Sequence, residues 1–517
     1  MSKLYDVIIA GAGPVGLLLA CELSLASASV LVLEREHQLE SPWKAMPMGF
    51  RGVNMASIEA FYRRGLMSKV FPSREMTSSF QKTPKFQHGA HFAGIMLDSN
   101  KLELDRWKYR INGPTLGSDS VMADHLESVL AERAEKLGAT ILRGTGVTKI
   151  AAQDTNTITV ETGEEHQQFR GRWLVGCDGG RSFIRKAAGF DFVGTEATFT
   201  GYGMHCELDH PEKLKMGFDF SKNGMCISRP QCLYLVEFDD GAFDRTQELT
   251  QEHVQSVLNR VRGCTDVQIT KIHLASSFTD RSKQVSNYRK GRILLAGDAA
   301  HIHPPMGQGL NVGLADVMNL GWKLAATVQK ECHSEGAPLD PELLDTYNKE
   351  RHPMAAWTLD WTRAQSKLMQ PDVWSETLRD VVRELLNTTD GTNMVIDRFW
   401  GLSQRYTLGS DDANTHPLVG CSAPDFELSD SSRLGHKLEK GRGLLLDFQK
   451  DVSLKDLVVG EKYQRVVDYV ALDAKDRRGL RALLVRPDGV VVWAADEQTR
   501  PDEMVEAKGA LARWFSP

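Results

Sequence analysis

The fold of this 517-residue chain is decided by the stretch Gly11-Ala12-Gly13-Pro14-Val15-Gly16. It directly follows Leu4 to Ala10, a short apolar and β-branched run that predicts a buried strand. Val15 to Ala26 then has the composition of a helix. Glycines at this spacing allow a tight turn and close backbone approach, so the N-terminus of the helix can hold a pyrophosphate. Strand, glycine triplet and helix together predict a Rossmann-type dinucleotide-binding unit.

A second predicted strand, Val30 to Leu33, supports this interpretation. It ends at Glu34, 18 residues after Gly16, where a carboxylate would accept hydrogen bonds from an adenosine ribose. Arg35 follows at the same strand end. The alternative is a glycine-rich turn that merely precedes a packing helix. The motif indicates a dinucleotide without specifying which one.

Two further segments follow predicted strands in the same way. Cys177-Asp178-Gly179-Gly180-Arg181-Ser182 comes at the end of the strand Trp173 to Cys177. Gly297-Asp298-Ala299-Ala300-His301 comes after the strand-like Arg292 to Ala296, and the chain continues to Pro304-Pro305-Met306-Gly307-Gln308-Gly309-Leu310-Asn311. A helical pattern, Val312 to Val328, places backbone N–H groups and a positive helix end beside whatever this loop holds. The alternative is a proline-ended loop that only caps an amphipathic helix. No second strand with Gly-x-Gly-x-x-Gly follows, so no separate nicotinamide domain is expected.

In this order and at these separations, the three segments resemble those of the class A flavoprotein aromatic hydroxylases. These single-component monooxygenases are typified by p-hydroxybenzoate hydroxylase. The resemblance implies bound FAD, with Asp298 on its ribityl chain and the middle segment near both the flavin and the transient path of NADPH. Arg181 and Arg185 could meet a phosphate there, or could be two exposed arginines on a helix. The residues expected to bind cofactor are Gly11, Gly13, Pro14, Val15, Gly16, Glu34, Arg35, Lys44, Ala123, Asp178, Gly179, Arg181, Gly297, Asp298, Pro305, Gly307, Gly309, Leu310 and Asn311.

Two positions depart from the family pattern. Members often have an arginine near position 44, beside a mobile flavin, whereas this chain has Lys44, a point charge rather than a planar fork. Arg51 is a candidate substitute. Many members carry a glutamine that contacts the flavin's ribityl or phosphate side, at the position that spacing assigns to Ala123. FAD binding is still expected, but these changes leave the details of flavin movement open.

The predicted fold class is α/β, with about three domains for this length. Residues 1–185 and 280–400 are expected to form the FAD-binding domain with a helical extension, including a surface loop at Ser334 to Pro341 and a helix-rich stretch that packs the tryptophans between Trp357 and Trp400. Residues 186–279 are expected to form an antiparallel substrate-binding sheet, because apolar and polar residues alternate there. Its predicted strands are Thr198 to Leu208, Lys215 to Phe220, Met225 to Ser228, Cys232 to Phe238 and Val267 to Leu274.

Residues 410–517 resemble the thioredoxin-like domain of phenol hydroxylase and of aromatic polyketide hydroxylases. Strands are predicted at Leu444 to Phe448, at Val466 to Leu472, and in a hairpin around Pro487-Asp488-Gly489, followed by a helix over Asp502 to Phe515. This unit holds one cysteine, Cys421, which excludes dithiol redox chemistry. A structural or interface role is expected.

Composition excludes several classes of function. The chain is 41% hydrophobic and 25% charged, with a net charge of −6 and no basic block, so a nucleic-acid partner is not expected. No apolar stretch approaches a membrane span, and the N-terminal run reads as strand and helix rather than a signal peptide. Eight cysteines without C-x-x-C spacing fit reduced thiols and a cytoplasmic location, and no metal site is expected. A homodimer is compatible with the sequence.

The resemblance also implies the chemistry. NADPH, or alternatively NADH, reduces the flavin, dioxygen forms a flavin hydroperoxide, and a hydroxyl passes to an electron-rich aromatic ring. Such a step needs an apolar pocket with one or two polar groups that orient a phenol. The candidate catalytic residues are Pro304, Pro305, His91 and Tyr234, and the other pocket candidates are Tyr202, His205, Phe220 and Arg229. Baeyer–Villiger insertion or epoxidation, or an oxidase or dehydrogenase without oxygen transfer, remain alternatives.

Overall fold

A computed structural model of the chain describes residues 3–74, 80–163, 166–333, 341–409, 415–460 and 462–515. Of the predicted surface loop at 334–341, only Pro341 lies within these ranges. None of the helices in the described ranges is long and apolar enough to cross a membrane.

The strands are β1 (Leu4–Ala10), β2 (Val30–Leu33), β3 (Phe50–Val53), β4 (His88–Phe92), β5 (Ile95–Asp98), β6 (Asp119–Met122), β7 (Thr140–Leu142), β8 (Val147–Gln153), β9 (Ile158–Thr162), β10 (Gln167–Gly176), β11 (Phe192–Thr195), β12 (Thr200–Leu208), β13 (Gly217–Ser221), β14 (Gly224–Arg229), β15 (Cys232–Glu237), β16 (Ile269–Thr279), β17 (Ser282–Val285), β18 (Arg289–Lys290), β19 (Ile293–Leu295), β20 (His301–Ile302), β21 (Gly443–Asp447), β22 (Val467–Val470), β23 (Leu480–Val485) and β24 (Val491–Asp496).

The α-helices are α1 (Pro14–Leu25), α2 (Met55–Tyr62), α3 (Met67–Val70), α4 (Ala123–Lys136), α5 (Phe183–Ala187), α6 (Gln251–Arg262), α7 (Gly309–His333), α8 (Glu342–Leu368), α9 (Val373–Asn387), α10 (Thr389–Trp400), α11 (Leu434–Lys437), α12 (Val452–Val458) and α13 (Glu503–Phe515).

A mostly parallel sheet forms the centre of the N-terminal part, in the order β18-β19-β10-β1-β2-β7. Its middle strands are buried along nearly their whole length, with α1 packed against β1 and β2 and α5 against β10. In register, Ile8 of β1 lies between Leu31 of β2 and Leu174 of β10. β1, β10 and β19 are the strands that precede the three sequence motifs, so all three motifs meet at one edge of the sheet. Ligands of such folds bind at this carboxyl edge.

The sheet within residues 200–279, which we call the roof, is antiparallel, in the order β13-β14-β15-β12-β16, and its strands confirm the predicted ones to within a few residues. The sequence interpretation missed α6, which packs against β14, β15 and β16. Apolar residues of α6 lie at Val254, Val257, Leu258 and Val261 and are fully enclosed. Helical spacing of this kind marks one buried face. The roof is therefore a sheet with a helix on one side and the N-terminal part of the chain on the other.

The C-terminal unit has a sheet of order β22-β21-β23-β24, with β21 and β22 parallel and the other pairs antiparallel. The predicted hairpin at 487–489 is confirmed, since it joins β23 to β24, and α13 packs against β24.

Arg64, at the end of α2, ties this unit to the N-terminal part. Its guanidinium pairs with both carboxylate oxygens of Glu22 in α1, at 2.7 Å each. The same group donates to the backbone carbonyls of Leu438 and Pro487, at 2.9 Å each. All of these groups are buried, so Arg64 joins two parts of the chain without access to water.

A second buried junction centres on Arg486. It donates to both carboxylate oxygens of Glu350 in α8, at 2.9 and 2.8 Å, and pairs with Asp488. Lys323 of α7 lies 3.0 Å from the same Glu350 carboxylate and donates to Asn319 at 2.7 Å. Two cations and two carboxylates therefore share a site from which water is excluded.

The helix-rich stretch before this unit is present as predicted, in α8, α9 and α10. Trp400 is buried and donates to the Gly89 carbonyl, and Trp357 and Trp361 stack on each other. Trp374 contradicts the expectation that these tryptophans pack inside, because 82% of it is exposed.

Candidate functional site

The first glycine turn is held by Glu34. Its carboxylate accepts hydrogen bonds from the backbone N–H of Ala12 at 2.6 Å and of Glu36 at 2.9 Å, which fixes the carboxylate at the end of β2. A Cβ on Gly11 would lie 2.5 Å from the Cys177 carbonyl oxygen, and its φ of +105° favours glycine. A Cβ on Gly13 would meet no atom within 4 Å, so the turn opens onto free space.

The other members of the first motif take different positions. Pro14 begins α1, where its missing N–H costs no hydrogen bond, and Val15 packs against Gly297 and Gly313. A Cβ on Gly16 would overlap the Gly11 carbonyl oxygen, so this glycine permits the turn itself. Arg35 is exposed and donates to Glu36 at 3.0 Å.

The middle segment presents an oxygen that lacks a partner. Asp178 accepts hydrogen bonds from the N–H groups of Phe183 and Ile184 through Oδ2, at 2.7 and 3.0 Å. Its other oxygen, Oδ1, is buried and accepts no hydrogen bond from the described residues. Buried polar atoms without a partner are costly, so this oxygen, beside a glycine turn that opens onto free space, is available to accept a hydrogen bond from a ligand. The neighbouring Gly179 also opens onto free space.

Arg181 and Arg185, taken together at the sequence level, have different environments. Arg181 is exposed. Arg185 is buried and donates to the carbonyls of Ala299 and Gly180, at 3.0 and 2.8 Å, with its guanidinium 3.9 Å from the ring centre of Phe192. Arg185 is therefore neither exposed nor a free phosphate ligand, and it locks the middle segment to the third one.

The third segment turns around a buried carboxylate, that of Asp316 in α7. Asp316 accepts hydrogen bonds from Gly297 N at 3.1 Å, from His301 Nε2 at 2.7 Å and from Arg351 Nε at 2.8 Å. Although burial alone would raise the pKa of Asp316, the charges of His301 and Arg351 hold it below its usual value. This carboxylate fixes the turn that exposes Asp298 at the carboxyl edge of the sheet.

His303 is a residue whose place in the site the sequence did not indicate. Its Nδ1 lies 2.9 Å from the Pro304 carbonyl oxygen, and because a carbonyl only accepts, Nδ1 carries the proton. Burial lowers the pKa of His303, so Nε2 keeps its lone pair, and this atom is buried without a partner in the described residues. A Cβ on Gly309 would lie 3.6 Å from Nε2 and 3.7 Å from Asp298 Oδ1. Both acceptors therefore converge on one point beside Gly309.

The loop after His303 alternates between buried and exposed residues. Pro304, Met306 and Gln308 are buried, whereas Pro305 and Gly307 are exposed. The Met306 N–H donates to the Pro304 carbonyl at 2.7 Å, which tightens the turn. Pro305 and Gly307 border open space, since a Cβ on Gly307 would meet no atom within 4 Å.

Asn311, in the first turn of α7, uses its side chain within the protein. Its Oδ1 accepts from Asn54 N at 2.9 Å and from Ser57 Oγ at 2.8 Å, and its Nδ2 donates to the carbonyls of Gly52 and Gly307. A cofactor could therefore use only its backbone N–H, one of the first-turn groups of α7 that have no intrahelical partner. The side chain instead joins the loop to β3 and α2.

Lys44 and Ala123 lie close together at the start of α4. Lys44 Nζ lies 2.6 Å from Glu127 Oε2, and Ala123, the first residue of α4, donates its N–H to the Gly49 carbonyl at 3.0 Å. Burial raises the pKa of Glu127, while Lys44 opposes that shift. Arg51 donates to nearby backbone carbonyls, and burial lowers its pKa.

Tyr234 faces this segment from the roof sheet. A Cβ on Gly203 would touch its ring at 3.1 Å and the Met48 methyl at 3.8 Å. Burial raises the pKa of Tyr234, and Arg229 and Arg51 lower it. The phenol is therefore neutral at physiological pH and lies between the roof and the 44–51 segment.

His91 lies in β4 against the roof. Its ring centre is 5.2 Å from that of Phe218, and its Nδ1 is buried without a partner in the described residues. Burial, followed by the charges of His88 and Arg229, lowers the pKa of His91 to about 4. The imidazole is therefore neutral. The neighbouring apolar cluster joins the roof to the loop at residues 304–311. It includes Ala93, Phe199, Phe218, Phe220, Met225 and Met306.

Two other pocket candidates, Tyr202 and His205, lie on opposite faces of β12, and His205 shares the face of Gly203 and Tyr234. The Tyr202 hydroxyl lies 3.3 Å from His253 Nε2 of α6, so this ring belongs to the helix-covered face of the roof. His205 stacks on His273, with ring centres 4.4 Å apart, on the same pair of strands. Neighbouring residues of a strand point to opposite faces, so Tyr202 lies on the helix-covered face of the roof and Gly203 on the face of Tyr234.

Comparisons with known proteins agree with this geometry. The FAD binding domain family matches residues 4–362, and the aromatic-ring hydroxylase C-terminal family matches residues 416–517. The chain belongs to the FAD-dependent aromatic-ring hydroxylases. This hydroxylase is 45% identical over 518 residues to a protein of Claviceps purpurea (strain 20.1) named as a monooxygenase, which covers 99% of this chain and 98% of that protein.

Two bacterial relatives cover the hydroxylase equally well. The 12-dehydrotetracycline 5-monooxygenase/anhydrotetracycline 6-monooxygenase of Streptomyces rimosus subsp. rimosus is 38% identical, with 99% of each chain covered. The solved structure of the anhydrotetracycline hydroxylase OxyS from Streptomyces rimosus superposes with a TM-score of 0.82 at 35% identity and covers 100% of both chains. The hydroxylase is thus an FAD-dependent monooxygenase of aromatic compounds.

Proposed function

We propose that this hydroxylase inserts one oxygen atom of dioxygen into a phenolic or polyketide-like aromatic compound, with NADPH as reductant and NADH as an alternative. The observation that carries the proposal is the neutral His91, whose buried Nδ1 lacks a partner in the described residues and whose ring contacts Phe218 of a phenylalanine-rich wall that reaches Met306. Relatives that are named for tetracycline-type substrates support a fused aromatic compound.

The residues at the carboxyl edge fit FAD. The turn at Gly11 to Gly16 and the N-terminus of α1 would receive the pyrophosphate, and Glu34 the adenosine ribose. The two acceptors beside Gly309, Asp298 Oδ1 and His303 Nε2, suit the hydroxyls of a ribityl chain. When bound, FAD supplies the two-electron chemistry that activates dioxygen, which no amino-acid side chain provides.

The chain's own groups would prepare the site for that chemistry. The positive end of α7, with the N–H groups of Leu310 and Asn311, would stabilise negative charge on a bound flavin. Pro305 and Gly307 would form a wall beside the bound cofactor, and Lys44 would contribute as one half of its ion pair with Glu127. The phenylalanine-rich wall keeps water from the reacting atoms.

His91 would act on the substrate. In its Nε2–H tautomer, Nδ1 would accept a hydrogen bond from a phenol hydroxyl, which polarises the O–H bond and raises the electron density of the ring carbon to be attacked. Tyr234, as a neutral phenol, would donate a hydrogen bond to a second substrate oxygen. We assign the transient NADPH path to the exposed Arg181 beside Gly179.

The domain assignment follows from the same arrangement. Residues 1–185 and 280–400 would form the FAD domain with its helical extension, residues 186–279 the substrate domain, and residues 410–517 a thioredoxin-like domain. Support for the last comes from the mixed sheet with α12 and α13. Its single cysteine, Cys421, leaves it a structural role.

The test is a reaction in ¹⁸O₂ with NADPH, with anhydrotetracycline and a panel of phenols as probes. Hydroxylation places one ¹⁸O atom in a new hydroxyl group, and His91→Phe should oxidise NADPH while releasing mainly hydrogen peroxide. His91→Gln, which keeps a hydrogen-bonding group, serves as the matched control and should retain more product. A labelled ester would indicate Baeyer–Villiger insertion, and hydrogen peroxide without labelled product for every probe would favour an oxidase; either result would refute hydroxylation.

A further inference from the structure

Helix α9 exposes most of its large apolar side chains to solvent. The side chains that it buries are those of Ser375, Arg379 and Leu386, with Val382 half-buried. Four of its large apolar residues along one side face solvent, with exposed fractions of 82% for Trp374, 51% for Leu378, 50% for Val381 and 60% for Leu385, and Val373 at the start of the helix is exposed as well. Surface helices normally bury their apolar side. The arrangement indicates that something else covers the outer face of α9.

The four exposed residues form one straight stripe. Their spacings of four, three and four residues confine them to an arc of roughly 60° at 100° per residue. This is the a/d spacing of a coiled-coil seam, in which apolar side chains of two helices interlock. We define the apolar seam as Trp374, Leu378, Val381 and Leu385.

We propose that the apolar seam pairs with the same seam of a second copy of this chain, antiparallel across a two-fold axis. In that arrangement Trp374 meets Leu385 of the second copy, and Leu378 meets Val381 of the second copy. Both pairs occur twice, which is the self-complementarity that a two-fold interface requires. Thr377 on one helix then faces Glu384 on the other, so a hydroxyl donor borders a carboxylate at the rim.

The exposed area suits a pair of chains. A tryptophan offers about 150–250 Å² of surface, so the seam presents on the order of 500 Å² per copy. Two copies would bury roughly 1,000 Å² of apolar surface, near the lower limit for a specific interface, and the polar residues beside the seam would add the rim. A single chain with this patch uncovered would expose as much as the largest patches of typical monomers.

The inner face of α9 connects the seam to the substrate region. Arg379 places its guanidinium 4.1 Å from the ring centre of Phe220 and donates to the Leu368 carbonyl at 3.0 Å. Phe220 belongs to the apolar cluster that reaches Met306. Val382 and Leu386 of α9 pack into the neighbouring apolar clusters, so a partner that covers the seam would bear on the helix that lines this wall.

The test measures the mass of the full-length FAD-loaded enzyme by sedimentation equilibrium across a wide concentration range. We expect a dimer for the native chain, and for Leu378→Glu and Val381→Glu a dimer dissociation constant raised about 100-fold or more, because each dimer would bury two carboxylates in an apolar seam. Glu376→Gln and Arg383→Gln, on the solvent side of the same helix, are matched controls and should leave the dimer unchanged. Hydrogen–deuterium exchange at residues 373–387 should slow as concentration rises.

Three outcomes would overturn the proposal. One is a native chain that stays monomeric at every concentration. Another is a dimer whose mass and exchange pattern are insensitive to both seam substitutions. The third is a monomer that floats with phosphatidylcholine/phosphatidylglycerol vesicles and loses this binding in Leu378→Glu, which would assign the seam to a lipid surface.

Discussion

Arg486, at the C-terminal end of β23, donates hydrogen bonds to both carboxylate oxygens of Glu350 in α8. The two residues are 136 positions apart and completely buried. This pair joins the C-terminal unit to α8, and Lys323 of α7 lies 3.0 Å from the same Glu350 carboxylate. The Arg486–Glu350 pair acts beside the apolar packing of Trp322 against the same unit, and removing one partner of the pair would leave a costly buried charge.

Replacing Arg486 with methionine should therefore lower the free energy of unfolding by about 3–5 kcal/mol, since Glu350 would keep a buried charge next to Lys323 alone. Urea unfolding followed by tryptophan fluorescence measures this. Arg500→Met breaks an exposed pair with Glu506 and should cost less than about 1 kcal/mol. Equal losses in the two variants would show that Arg486 does not anchor the unit.

Lys323 should make stability depend on pH. Burial lowers the pKa of Lys323 to about 7, whereas an unfolded lysine titrates near 10.4. Between these values the unfolded chain binds more protons, so the contribution of Lys323 to the unfolding free energy increases as pH rises from about 7 to about 10. Below pH 7 both states are protonated and the contribution is constant.

The measurement compares the native chain with Lys323→Met by urea unfolding at several pH values. The native chain should gain stability relative to the variant as pH rises through this window. Parallel profiles would mean that the lysine stays charged within the cluster.

Substitution of two glycines of the first turn should have different effects, one on FAD affinity and the other on folding. Gly13→Ala adds a methyl group into open space, so the chain should fold with an unchanged melting temperature when free of FAD but bind FAD at least about tenfold more weakly, because the methyl group occupies the pyrophosphate position. Gly11→Ala places its methyl group 2.5 Å from a carbonyl oxygen and should reduce folding itself.

Flavin fluorescence titration and thermal unfolding separate the two effects. Gly509→Ala, also in open space but in α13, serves as the control and should leave FAD affinity unchanged. FAD affinity of Gly13→Ala equal to that of the native chain would place the pyrophosphate elsewhere.

His303 should contribute to FAD affinity through its free Nε2. His303→Phe keeps a ring but loses the acceptor, so the dissociation constant of FAD should rise about tenfold, the effect of one to two neutral hydrogen bonds. His303→Gln should recover part of the loss. The dissociation constant is obtained from the fluorescence of released FAD, with His273→Phe in the outer roof as control. An unchanged constant in His303→Phe would remove this residue from the site.

Much of this architecture could be predicted because each motif sits where a strand ends. Glycine and aspartate at the ends of β1, β10 and β19 are visible in the sequence, and parallel strands bring their carboxyl ends together. The strands of the roof were predictable from alternation. The helix α6 was not predicted although its apolar spacing is present, because strands are predicted on both sides of it.

The rest depends on tertiary contacts that no local pattern encodes. His303 and Asp316 acquire their roles from hydrogen bonds to a carbonyl and to a distant turn. Arg185 was expected at the surface or on a phosphate, yet two backbone carbonyls enclose it. The periodicity of α9 predicts a helix correctly, but it would assign Trp374 to the interior, since periodicity cannot tell which side of a helix meets the protein.

The hydrogen bonds of Arg64 limit how this enzyme can be re-engineered. Two of its N–H groups donate to the carbonyls of Leu438 and Pro487. Deleting the residues after 410 would remove these acceptors and leave the buried guanidinium with unsatisfied donors. Its ion-pair partner, Glu22, lies in α1, the helix that follows the first glycine turn. A chimera that borrows a C-terminal unit from another hydroxylase would have to supply those two carbonyls at the same points. The boundary between the units is therefore a poor place for a recombination breakpoint, however cleanly it divides the sequence.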